Sequence, residues 1–232
     1  MIRFRLRPLD RIEPWGDETP KLHWFGLSDG WYWLEAGSHE LLRYTGPDDP
    51  PYVDYYVARL WEDLREILPT VLEPVPADLV TFIADDVPPW GDDEITDAVL
   101  AAYSWHGEHW LNLGYLSSAP RLRFWRTTDD GDTVTLDWRR SPGFTGPATA
   151  RIAVPTEDFR AAVREFDDAF LAAMAERVRE VVAAGGVPGV EIDLDRLRRE
   201  HRTRVAPVPE RSARTDWELV RAGVRELRQR RA

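Results

Sequence analysis

Twice along this chain, short aromatic strands punctuated by turn residues lead into a long amphipathic helix, and that order constrains the fold more than any single motif. In the first half, Leu22 to Leu27, Trp31 to Ala36 and Glu40 to Tyr44 read as strands. Ser28-Asp29-Gly30 and Gly37-Ser38 separate them. Ahead of them, Ile2, Phe4 and Leu6 alternate with Arg3, Arg5 and Arg7, the pattern of an edge strand. After the breaker GPDDPP, Val53, Tyr56, Val57, Leu60, Trp61, Leu64 and Leu68 recur at helical spacing, which predicts a helix ended by Pro69.

In the second half, His109 to Leu116, Leu122 to Thr127, Thr133 to Arg139 and Ala148 to Val154 read as strands, with a hairpin turn at Asp129 to Asp132. The following helix has Thr156 as its expected N-cap and Gly185-Gly186 as its stop. Phe159, Val163, Phe166, Phe170, Met174, Val178 and Val181 form its apolar stripe. Between the halves, Ile95 to Tyr103 suits a short helix. The class is α+β: antiparallel meander sheets packed on two long amphipathic helices, with a helical C-terminal tail. Residues 1–187 form the expected domain. An internal duplication with halves 1–90 and 91–187, and two ordinary hairpins, both fit the pattern.

Residues 188–232 form a helical extension in this reading. It has one helix capped by Asp193, a linker VAPVPERSAR, and a last helix with a thin stripe at Trp217, Val220, Val224 and Leu227. The body, a second copy and a partner are all open as that stripe's docking surface.

Composition narrows the function. There is no cysteine, which removes disulfides, thiolate zinc sites and cysteine nucleophiles. The start MIRFRLRPLD lacks the apolar core of a signal peptide, and no run of 18 apolar residues exists, so a cytoplasmic, non-membrane protein is expected. Residues 1–116 carry a net charge of −14 and residues 117–232 a net +3. An acidic front half repels nucleic acid and favours a basic protein partner. Arginine outnumbers lysine 29 to one, a codon-composition signal without functional content.

GLSDG matches the G-x-S-x-G nucleophile elbow in form. An elbow needs a helix after its serine. Here Trp31-Tyr32-Trp33 follow, which prefer strands, so Ser28 reads as a turn residue with Gly30 free to take positive φ. The stretch SWHGEHW places Trp105, His106, Glu108, His109 and Trp110 together. The imidazoles and the carboxylate are types that ligate metals or move protons, yet the spacing is i, i+3 and not the i, i+4 of helical zinc sites. Asp85, Asp86, Asp92 and Asp93 crowd around Trp90, an arrangement suited to docking an arginine or lysine. In WYWLEAG, both strand faces are apolar, so the sheet is buried on both sides or presents one as a binding surface.

The stretches RFRLRPLDRIEPWG, LHWFGLSDGWYWLEAGSHELLRY, DYYVARLWEDL, LRFWR and GVEIDLDRLRREH resemble an actinobacterial domain-of-unknown-function family. The resemblance spans most of residues 1–200 and implies membership only, with no functional residues to carry over. Three readings of function follow from the residues. The first is a binding protein acting through a protein interface, in its sharpest form an immunity- or antitoxin-type neutraliser. The second is a hydrolase using His106, Glu108 and His109 with a metal or water. The third is a small-molecule binding module with an aromatic pocket. No cofactor is expected.

Overall fold

The computed structural model describes residues 1–16, 18–47, 50–87, 95–205 and 214–230. Among these, six α-helices and two antiparallel sheets make up the α+β architecture, and a C-terminal helix is present. Among the described residues, no helix is long and apolar enough to cross a membrane. Contacts divide the chain into two units, each discontinuous in sequence, that cut across the linear boundaries at residues 90 and 187. The first is Met1–Asp63, Gly143–Gly146 and Arg160–Pro209, and the second is Leu64–Pro142, Pro147–Phe159 and Glu210–Ala232.

In the first unit, β2 (Asp29–Ala36) is central. It pairs with β1 (Ile2–Leu6) on one edge, and with β3 (His39–Leu41) and β4 (Val53–Tyr56) on the other. Tyr32 and Leu34 point into the core. Trp31 and Trp33, on the opposite face, are half-buried by their neighbours. The Arg5 and Arg7 guanidinium groups lie 4.8 and 4.4 Å from the Trp31 ring, and Tyr52 stacks on Trp33 at 4.0 Å. An alternation that looked doubly apolar is thus resolved by cation–π and stacking cover. From β1, Phe4 packs edge-on against Phe166 and Phe170 of α4 (Thr156–Ala183), and Trp24 packs against Phe170 and Trp61.

The turn around GLSDG differs from expectation in detail. Leu22 to Leu27 is not a strand: Gly26–Ser28 form a 3₁₀ turn before β2. Gly30 lies within β2 without positive φ. It is required because a Cβ there would sit 2.3 Å from the Arg5 carbonyl oxygen. Ser28 is fully buried. Its hydroxyl donates to the Phe25 carbonyl at 2.6 Å and accepts from the Ala58 N–H at 3.2 Å. Ala58 lies in the first turn of α1 (Val57–Leu72), so Ser28 satisfies one of that helix's unpaired donors. Its role is structural.

Four further expectations are corrected. Residues 53–56 are strand, not helix, because they pair with β2 and the helix starts only at Val57. Pro69 lies inside α1, which runs on to Leu72 with Val71 fully buried beyond the proline. Thr156 does not cap α4: its hydroxyl donates to Asp132, and the helix follows directly on β7. Residues 109–116 form no strand beyond a single bridge from Trp110 to Arg123. By contrast, α4 ends at the expected glycines. Gly186 N–H bonds to Val181 O and Gly185 N–H to Val182 O, with Gly185 at φ 74°, the geometry of a Schellman stop.

The second unit is built on the meander β5 (Arg121–Thr127), β6 (Thr133–Arg139) and β7 (Thr149–Pro155). The free edge of β5 is covered by residues 109–111 and by Val75, whose N–H bonds to Arg126 O. Against this sheet lie α2 (Val80–Ala84), α3 (Asp97–Gly107) and α6 (Trp217–Gln229). The C-terminal helix α6 docks antiparallel on α3: Thr96 bonds to Glu226 at 2.9 Å, and Trp105 meets Trp217 edge-on at 5.6 Å. Its expected stripe is buried at Val220, Val224 and Leu227. The helix α5 (Leu194–Val205) is capped by Asp193 as its sequence predicts, and belongs to the first unit.

Candidate functional site

The SWHGEHW stretch is the end of α3 and the turn after it, and its side chains separate into two environments. His106 and His109 face inward; Glu108 faces an open cleft.

The inward side is organised by Arg123 on β5, which is fully buried. Its Nη2 donates to Asp137 at 2.8 Å and to Ala84 O at 3.0 Å. Its Nη1 donates to Asp85 O at 2.8 Å and lies 2.7 Å from His106 Nε2. Two N–H groups on Nη1 serve these two acceptors, so His106 Nε2 accepts and its proton sits on Nδ1. Arg151 also reaches Asp137, at 3.2 Å. Burial pulls the Arg123 pKa down, and Asp137 opposes the shift. His109 is fully buried as well, and its Nδ1 donates to Trp105 O at 2.8 Å, leaving Nε2 as an unprotonated, unpartnered atom. Burial, aided by the Arg123 charge, lowers the pKa of both imidazoles to about 4.

Neutral buried histidines make stability acid-sensitive. Their folded pKa lies below the unfolded value near 6.5, so their contribution is intact above that pH and falls away as pH drops towards about 4. The loss should reach roughly 3 kcal/mol for each histidine at the acid end of that window. Urea midpoints measured between these limits should fall steeply for the wild type and flatten in His106→Gln and His109→Gln. A flat wild-type profile contradicts the burial of these rings.

The acidic candidates divide too. Asp86 pairs with Arg139 and, at 3.6 Å, with Arg121. Burial alone would raise its pKa, but these arginines outweigh it and hold the carboxyl below its usual value. Asp85 contributes its backbone carbonyl to Arg123. Trp110 lies 4.5 Å from both the Arg121 and Arg123 guanidinium groups, so its ring already has cationic neighbours from its own unit. Trp90, Asp92 and Asp93 lie outside the described residues.

The outward side is a cleft of about 480 Å³ within the second unit. Glu66 and Thr70 of α1, Ser104 and Trp105 of α3, Glu108, and Asp216 before α6 line it. Among the described residues neither Glu66 nor Glu108 has an ion-pair partner. Partial burial, and then the nearby Glu73 carboxylate, raise the Glu108 pKa. The C-terminal turns of α1 and α3 border the cleft and add partial negative charge, while Asp216 caps the opposing N-terminus of α6 by accepting from Leu219 N–H at 3.1 Å. Among the described residues, Arg214 is the one cationic side chain in the lining. Such a site suits a cation with an apolar or planar body that can lie against Trp105.

Sequence reasoning named Trp105 and Glu108 but missed Arg123, Asp137 and Glu66. No group of three or more His, Asp or Glu side chains arranged to hold a metal exists among the described residues. Neither the curated proteins nor the solved structures contain a match to this chain. Residues 1–223, nearly the whole chain, match one family, and the chain belongs to it: a family of unknown function, DUF5984.

Proposed function

We propose that this is a binding protein that docks a basic protein partner in the acidic cleft of its second unit. The observation that carries the reading is Glu108: a carboxylate whose pKa is raised by burial and by Glu73, facing a cleft beside Glu66 and Trp105, with no cation paired to it among the described residues. A lysine or arginine inserted there relieves that repulsion. The acidic first half of the chain supports the same choice of partner. A neutraliser of the immunity or antitoxin type, acting in the cytoplasm, is the narrower form of this reading, and the arginine bias is what supports an actinobacterial source.

The test is affinity capture of the tagged chain from a lysate of its source at low and high salt, in wild type and in Glu108→Gln. One stoichiometric basic protein, released by salt and bound about tenfold more weakly by the variant, is the expected result. Equal capture by both forms would move the interface away from the cleft.

The cleft volume also favours a second reading, a module for a small organic cation, since it falls in the range of small-molecule sites. Quenching of tryptophan fluorescence by arginine or a polyamine, abolished in Glu108→Gln, would support it. The hydrolase reading draws no support from this geometry, because both imidazoles face groups of their own unit while Glu108 faces the cleft.

A further inference from the structure

The cleft of the second unit carries charge of both signs. Glu66 lies in the C-terminal half of α1, and Glu108 directly follows α3. The segment entering α6 supplies the opposite sign. Arg214 lines the cleft two residues ahead of Asp216, the N-cap of that helix, whose dipole presents its positive end there. The two other carboxylates at this end are engaged: Asp216 accepts from Leu219 N–H at 3.1 Å, and Glu218 pairs with Arg221 at 3.1 Å.

The position of Arg214 is fixed by its neighbour. Thr215 N–H donates to Glu73 Oε1 at 3.2 Å, and the Thr215 hydroxyl donates to the other oxygen of the same carboxylate. Glu73 therefore anchors the segment that carries Arg214 into the lining. Among the described residues, Arg214, Glu66 and Glu108 have no ion-pair partner, so the cation and the two carboxylates share one cleft without neutralising each other. With Glu73 and Asp216 counted, negative charge leads, yet a ligand that is cationic throughout would meet Arg214 as a repulsion. The 480 Å³ of the cleft suits a single residue with its side chain.

We infer that the cleft takes a lysine or arginine residue bearing a free α-carboxylate, its side-chain cation going to Glu66 and Glu108 and its carboxylate to Arg214. This rests on the reading of the cleft as the docking place of a basic protein and makes the docked residue that protein's C-terminal one. An internal lysine or arginine leaves the Arg214 guanidinium without an anion, whereas a terminal carboxylate accepts two charge-assisted hydrogen bonds from it. The apolar stem between the two charges matches Ala101, Trp105 and Val220 in the lining. Free arginine has the same chemistry, and the test separates the two sources.

Calorimetric titration of the full chain at low salt with acetyl-Gly-Gly-Arg, as its free acid and as its amide, reads the sign of the preference. The acid is neutral overall and the amide is a cation, so acidity alone favours the amide. The inference requires the opposite order, with the acid bound about fivefold more tightly. Arg214→Gln should remove that preference, and Glu108→Gln should weaken both peptides. If the wild type binds the amide as tightly as the acid, the inference is overturned while the cleft remains a cation site. L-Arginine bound with the acid peptide excluded overturns the C-terminal assignment and gives the cleft to the free amino acid. No binding of either peptide or of L-arginine up to about 5 mM removes the acidic-cleft reading itself, and the inference with it.

Discussion

Replacing Arg123 with methionine is expected to destabilise the fold by about 3–5 kcal/mol, the cost of breaking a buried ion pair from one side. Among the described residues, the guanidinium is the only group that joins Asp137, the Ala84 and Asp85 carbonyls and His106. Two compensations place the result at the lower end of that range. Arg151 still reaches Asp137 and donates to Ala84 O at 3.0 Å. His106 can shift its proton to Nε2, which lies 3.0 Å from Asp85 O, and donate there. Urea denaturation measures the loss. A change below 1 kcal/mol would mean that the carboxylate and carbonyls find other partners, and the hub would lose its structural importance. The Arg123 charge also depresses the His106 pKa, so the variant should show a weaker acid sensitivity at that ring, with burial still dominant.

Gly223→Ala should undo the docking of α6. A Cβ at this position would lie 2.0 Å from the Ala98 carbonyl oxygen and 2.9 Å from the Ala102 Cβ. Both contacts belong to the facing helix α3, so rotamer changes cannot relieve them, and the helices must separate. Separation exposes Val220, Val224 and Leu227, each worth about 1.5–3 kcal/mol when fully buried. Hydrogen exchange should show lost protection across α6 while the β5–β7 meander keeps its own. If α6 amides exchange at wild-type rates, the close crossing at Gly223 is not as drawn.

Long periodic segments were legible from the sequence because their side chains alternate with the element's own period. The stripe of α4 and the bounds of β6 follow from spacing alone, and the stop at Gly185-Gly186 from the backbone freedom of glycine. Short elements were not. Val53 to Tyr56 fits a helical period as well as a strand, and only the pairing with β2 decides it. Pro69 reads as a stop, yet burial of Val71 outweighs the lost hydrogen bond. At the site, Trp105 and Glu108 could be named because they share a short stretch. Glu66 lies 42 positions from Glu108, and nothing local links them. Arg123 and Asp137 carried a usable signal: once Thr127 is paired with Thr133 across the turn, the register sets these two residues opposite each other.

The antiparallel bridge between Trp15 and Lys21 has a chemical consequence of its own. It holds Lys21, the single lysine of the chain, with its ammonium exposed and 3.4 Å from Glu191. Every enzyme or reagent that acts on lysine side chains, whether it acetylates, ubiquitinates or attaches a dye, is therefore addressed to one loop. A lysine-directed modification there has no second lysine to compete with it, and the α-amino group of Met1 is the other primary amine a dye would meet.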